Sequence, residues 1–282
     1  MRYRGDIATA GSWLRILTYL LLIGVAVAVI FPIFWMLMSS LKLTKELFVK
    51  PPTWIPQRPT LNNYLSVVRN SLFLRYFVNS VVVATVATGI SIVIASLAGY
   101  GWGKIDFAGK RATSLFVLVS QMFPVVVVVI PLFQILRSLL LLNSYPGLVL
   151  AYLVYTIPLS SWLLKSFFQE IPGEILDSAK VDGCSHLLAF IRIALPLVRP
   201  GIAATAIYCF IMVWQEFFFA LSFMFDDEMK TLTVGILGFM GQYKVSWGEL
   251  MAASFMSVLP TALAFFFVQK HFVEGLTKGA IK

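Results

Sequence analysis

Six apolar stretches govern what this chain can fold into: residues 16–38, 77–101, 113–136, 146–164, 202–225 and 250–269. An α-helix rises about 1.5 Å per residue, so about 20 apolar residues cross a hydrocarbon core of roughly 30 Å. Each stretch meets or approaches that length. The runs are continuous rather than alternating at period two, which selects helices over a barrel. Composition agrees. Hydrophobic residues make up 59% of the 282 and charged residues only 12%, against roughly a quarter charged in soluble chains. The expected fold is an all-α membrane protein with six transmembrane helices in a single domain.

The first stretch follows Arg2, Arg4 and Arg15. Its apolar run is too long for a signal-peptide core, and no clear small-residue cleavage site follows, so it reads as an uncleaved anchor. Six spans put both termini on one side. Placing them inside leaves 13 basic residues inside and 9 outside, a weak bias in the expected direction. The loop at 41–76 spoils it with six of the nine: Lys42, Lys45, Lys50, Arg58, Arg69 and Arg75. Net charge is +9, but these cations flank apolar spans, where they set topology and meet lipid headgroups. Nucleic acid is therefore not an expected partner, and membrane lipid is.

The 41–76 loop is rich in interfacial residues, with Pro51, Pro52, Trp54, Pro56 and Pro59 before Thr60, Asn62, Asn63 and Tyr64. A surface loop with membrane-interface anchors and a binding site are both open readings, and its end looks like a turn into a short helix. Gly99 and Gly103 have the small-xxx-small spacing that brings helices close, or they lend flexibility to a pathway. Pro124, Pro131, Pro158 and Pro260 interrupt spans, as kinks of packing or bends that shape a cavity.

The polar break between the fourth and fifth spans, 165–200, is too structured for a connector. Pro172 suits a first helical turn, and Glu174 and Asp177 suit a helix N-terminus. Ile175 and Ala179 are spaced to share a face. Gly183 permits the positive backbone angle that ends a helix, and Ser185 can cap the next one. Pro196 and Pro200 bound the entry to the fifth span. Two short amphipathic helices joined at a glycine can dock in a groove on another protein. Equally, they can lie in the headgroups.

Several motifs are missing. A phosphate-cradling loop needs G-x-x-x-x-G-K-[ST], and Arg111 follows Gly109-Lys110 where Ser or Thr is required. His186 and His271 are isolated, and Cys184 and Cys209 lack metal-ligand spacing. No catalytic residue or metal site is expected. Glu216, within Trp214-Gln215-Glu216-Phe217, stands in a span where a carboxylate costs about 2.5–3.5 kcal/mol on insertion scales. It lies about 24 Å along the helix from Pro200. Lining a pathway, docking a partner and forming a structural ion pair all fit it.

The 165–200 break also carries a resemblance. Asp177-Ser178-Ala179-x-x-Asp182-Gly183-Cys184, followed by Ile193-x-Leu195-Pro196, is similar to the coupling motif Glu-Ala-Ala-x-x-Asp-Gly-Ala … Ile-x-Leu-Pro of binding-protein-dependent ABC-transporter permeases. Asp177, Ser178 and Cys184 depart from it while keeping charge or size. Ser40-Leu41-Lys42 with Glu46, Pro51-Pro52 and Thr60-x-Asn62-x-Tyr64 resemble the first outer loop of the maltose-type sugar permeases, and Asn79-Ser80 fits. The tail at 271–282 contains Gly275-Leu276-Thr277-x-Gly279-Ala280, similar to that family's ending. The likeness is to the G subunit of the maltose transporter.

The resemblance implies an ABC type I importer permease fold with both termini cytoplasmic, in a bacterial or archaeal cell membrane. It implies a second permease subunit, two ATP-binding subunits and an extracytoplasmic solute-binding protein as partners. ATP and magnesium would be bound in the ATP-binding subunits, with no cofactor in this chain and no enzymatic activity of its own. The coupling contacts would be Glu174, Asp177, Ser178, Ala179, Asp182, Gly183, Cys184, Leu195 and Pro196, within a 174–190 loop. The tail, through Gly275, Leu276, Thr277, Gly279 and Ala280, would be a second contact. Trp214, Gln215 and Glu216 are the pathway candidates. The competing reading is a self-sufficient secondary transporter or channel, which needs ion-coupling carboxylates in the spans, where Glu216 stands alone.

Overall fold

The computed structural model describes residues 12–241 and 245–279, with side chains from 13 to 266 apart from residues 180 and 242–244. Among these residues the chain is helical, and one isolated bridge joins Met240 and Val245. The helices are α1 (Ser12–Ser40), α2 (Asn62–Arg69), α3 (Ser71–Lys104), α4 (Lys110–Ser120), α5 (Val125–Ser138), α6 (Tyr145–Gln169) and α7 (Gly173–Val181). After them come α8 (His186–Ala189), a π-helical turn (Phe190–Ala194), α9 (Leu195–Leu197), α10 (Arg199–Trp214), α11 (Phe218–Phe223), α12 (Leu232–Gly235) and α13 (Trp247–Gly279).

Four helices are long and apolar enough to cross a membrane unbroken: Trp13–Ser40, Ser71–Lys104, Tyr145–Gln169 and Trp247–Phe266. The other two apolar stretches are broken. The 113–136 stretch divides into α4 and α5, which meet at 100°. Pro124 causes the break: its ring disfavours a helical residue before it, and it stands instead at the cap of α5 with ψ 133°. The 202–225 stretch is helical only to Trp214 and resumes as the short α11. At its other end, α10 departs at 78° from the helical segment His186–Leu197. Of the expected six spans, four are therefore unbroken helices, the 113–136 span is a bent pair, and the 202–225 span breaks after Trp214.

The described structure divides into two compact units: Met1–Arg69 with Phe239–Met256, and Asn70–Gly238 with Ser257–Lys282. In the first unit the loop after α1 is an ordered knot. Asn63 Nδ2 donates to the carbonyls of Ser40 (2.8 Å) and Lys42 (3.0 Å), and Ser40 Oγ meets Tyr64 Oη at 2.7 Å. Lys42 is buried, donates to the Thr53 carbonyl and lies over the Trp35 ring. Glu46 accepts from Thr53 Oγ1 and the Gln57 amide. The family-like residues of this loop thus have a structural use, with Asn63 rather than Asn62 carrying the side-chain bonds.

In the second unit α3 and α6 pack at close range, with α10 against both. Gly99 and Gly103 make this possible. A Cβ on Gly99 would stand 2.9 Å from the Lys165 backbone nitrogen, and one on Gly103 would stand 2.9 Å from Phe168 Cβ. Ser91 Oγ and Thr156 Oγ1 bond across the same seam at 2.6 Å. Packing is thus the role of this glycine pair.

Candidate functional site: the polar break between α6 and α10

α7 begins after Pro172 with Glu174 in its first turn. It ends as the sequence predicts. Gly183 has φ +82°, the Asp182 amide bonds the Ser178 carbonyl at 3.0 Å, and the Cys184 amide bonds the Ala179 carbonyl at 2.9 Å. The bond from Cys184 to Ala179 is the six-to-one closure of a Schellman motif, which needs a left-handed residue where Gly183 stands. Ser185 then caps α8, its Oγ accepting from the Leu188 amide at 3.2 Å.

One face of this helix pair is anchored. Ile171, Leu176, Ala189, Phe190, Ala194 and Val198 are buried in a cluster with Ala95 and Tyr100 of α3 and Leu164 and Phe168 of α6. Tyr100 meets Phe168 and Phe190 with ring centroids at 5.6 and 5.0 Å. Cys184 and Leu195 pack against the cluster, and Ala179 is buried. The expected pairing of Ile175 with Ala179 on one face fails in burial. Leu176 is the buried partner, while Ile175 is 40% exposed.

The opposite face is open. Glu174, Asp177, Ser178, Asp182 and Gly183 are exposed, together with the apolar Ile175, Val181 (87%) and Leu187 (61%). Ser178 Oγ is turned back on the Glu174 carbonyl at 2.8 Å. Among the candidate contacts, Ala179, Cys184 and Leu195 build the platform, Pro196 is half-buried, and Glu174, Asp177, Ser178, Asp182 and Gly183 lie on its open side. The tail candidates Gly275, Leu276, Thr277, Gly279 and Ala280 fall outside the residues whose side chains are described.

The three pathway candidates separate. Trp214 is buried, stacks on Phe210, and donates from Nε1 to the Ser257 carbonyl at 3.0 Å. The Glu216 carboxylate accepts from the amides of Phe219 (2.9 Å) and Ala220 (3.2 Å). It thereby caps the start of α11 after the break, and among the described residues it forms no ion pair. Its carbonyl accepts from Thr233 Oγ1 at 2.8 Å. Of the three, Gln215 is the exposed residue.

A clamp at the opposite end of α3 from Lys104 was not legible as a site. Asn79 Nδ2 donates to the carbonyls of Glu228 and Lys230, both at 2.9 Å, and Tyr145 Oη donates to Asn79 Oδ1 at 2.7 Å. Asn143, with φ +53°, accepts from the amides of Phe225 and Asp226 on Oδ1. Together with Ser80, which accepts from the Leu232 amide, these residues hold the acidic segment Asp226-Asp227-Glu228. An asparagine next to a helix-opening Ser-Tyr-Pro was the available signal. Among the described residues no group of three or more His, Cys, Asp or Glu can hold a metal.

Comparison with known proteins decides the family. Residues 91–278, which include the whole 165–200 break, match the binding-protein-dependent transport system inner membrane component. The chain belongs to this family. It is 36% identical to the sulfoquinovosyl glycerol transport system permease protein SmoH of Agrobacterium fabrum, over 90% of this chain and 89% of that one. It is also 36% identical to the trehalose/maltose transport system permease protein MalG of Thermococcus litoralis, over 95% and 97%. In fold it is similar to a chain of a bacterial ABC transporter involved in the import of the acidic polysaccharide alginate. That likeness has TM-score 0.79 and 21% identity and covers 94% of this chain and 98% of the other. Members of this family are inner membrane components of transport systems.

Proposed function

We propose that this chain is one permease subunit of an ATP-driven importer of sugars or oligosaccharides in a bacterial or archaeal cell membrane. It supplies half of the translocation pathway. Both termini face the cytoplasm, because the coupling loop must reach ATP-binding subunits there. Its partners are a second permease, two ATP-binding subunits that hold ATP and magnesium, and an extracytoplasmic solute-binding protein.

One observation carries the coupling role: α7 and α8 have one face locked into the α3–α6 core and the other open, with Ile175, Val181 and Leu187 beside three carboxylates. A helix pair so mounted transmits a push from a docked partner into the spans. Membrane anchoring alone would not place Glu174, Asp177 and Asp182 among its exposed apolar residues. The tail at 275–280 is a second contact for the same subunits, and Gln215 is the pathway-facing residue of its trio. Sugars are the solute class because related permeases carry names for trehalose, maltose and diacetylchitobiose transport.

Liposome reconstitution tests the reading. Uptake of labelled oligosaccharide is expected only with both permeases, the ATP-binding subunits, the binding protein and ATP. Gradient-driven uptake by this chain alone would overturn it.

A further inference from the structure

Where α3 and α6 end at Lys104 and Gln169, the first turns of α4 and the last turns of α6 border an open cavity of about 740 Å³. Three cations line it: Lys110 and Arg111 from α4, and Lys165 from α6. Phe107 and Leu115, each 44% exposed, give it an apolar wall. No carboxylate is among the lining residues. Asp106 pairs with Lys110 at 3.0 Å, but its own side chain is wholly exposed.

The cations are held on this wall. Lys165 Nζ lies 4.5 Å from the Trp162 ring centroid and 3.4 Å from Ser114 Oγ, which is buried and donates to the Arg111 carbonyl. The Arg111 guanidinium has no hydrogen bond or ion pair among the described residues. Charge is also concentrated unfavourably. α4 opens with Lys110 and Arg111 and has no acid in its first turn, so two cations sit at the positive end of a helix. An anion in the cavity would relieve that repulsion and satisfy Arg111.

We infer that this cavity binds the phosphate of an anionic phospholipid. The source is lipid rather than free phosphate because the cavity lies at the ends of two spans, where headgroups lie. Its apolar wall also continues along α4 through Phe116 (75% exposed) and Val119 (50%), a surface for acyl chains. The inference needs the membrane placement of the family but not the coupling role.

The test uses the assembled importer in nanodiscs of phosphatidylcholine with a minor fraction of phosphatidylglycerol, and native mass spectrometry reads the retained lipid. The wild type retains phosphatidylglycerol preferentially. Arg111→Gln weakens that preference about fivefold, the effect of one cation near an anionic headgroup. Lys110→Gln with Arg111→Gln removes it, while Arg111→Lys and Arg75→Gln, toward the opposite end of α3, keep it. Lys110→Gln alone decides the matter if Arg111→Gln does not assemble. Inorganic phosphate does not displace the lipid. Equal retention in wild type and Gln variants, no preference in the wild type, or displacement by phosphate would each overturn the proposal.

Discussion

The Cys184 amide donates to the Ala179 carbonyl across 2.9 Å, closing α7 over a left-handed Gly183. Nothing lies within 4 Å of a Cβ built on Gly183, so substitution there acts on the backbone alone. Gly183→Ala costs about 1–2 kcal/mol, the penalty of a left-handed L-residue, and leaves the importer assembled with reduced uptake. Gly183→Pro, fixed near φ −65°, cannot make the turn and abolishes ATP-driven uptake while membrane insertion persists. Uptake assays with a membrane-fraction blot check this, and wild-type uptake in Gly183→Pro would count against the coupling role.

Gly99 and Gly101 lie two residues apart on α3 and predict opposite outcomes. Gly99→Ala drives a methyl against the Lys165 backbone and costs about 1–3 kcal/mol of overpacking. Gly101 has open space around it, so Gly101→Ala is neutral or gains up to about 1 kcal/mol of helix propensity. Thermal unfolding of the purified complex in detergent distinguishes them.

Glu216 is predicted to act through stability. Glu216→Ala removes the cap of α11, and lost caps cost about 0.5–2 kcal/mol. Glu216→Gln keeps one acceptor oxygen and falls between. Gln215→Ala leaves the unfolding temperature unchanged and alters the solute concentration that half-saturates uptake. A Glu216→Ala importer of unchanged stability with altered solute affinity would reverse these two roles.

Much of this was written in the sequence, for identifiable reasons. Apolar runs have one solvent, so the spans were legible, and Gly183 and Ser185 are local signals whose geometry is set within a few residues. The break at Pro124 was only half legible: the proline was seen as a bend, but a turn of 100° depends on the packing of both flanking helices. The capping role of Glu216 was not legible, because a carboxylate in an apolar run has the same sequence signature whether it lines a pathway or caps a helix. Ile175 and Leu176 show a similar limit, since helical spacing gives candidate faces and the Tyr100–Phe168–Phe190 cluster selects between them. The Asn79 clamp joins residues some 150 positions apart, beyond any local pattern.

Solvent access at Val181 tests the central claim most directly, because this exposed apolar side chain is placed where a partner must cover it. Val181→Cys in a Cys184→Ala background, with Cys209 buried, gives one reactive thiol. Its maleimide labelling is predicted to be fast in the permease pair alone and slow once the ATP-binding subunits are bound. Equal labelling in the two states would contradict docking at this loop.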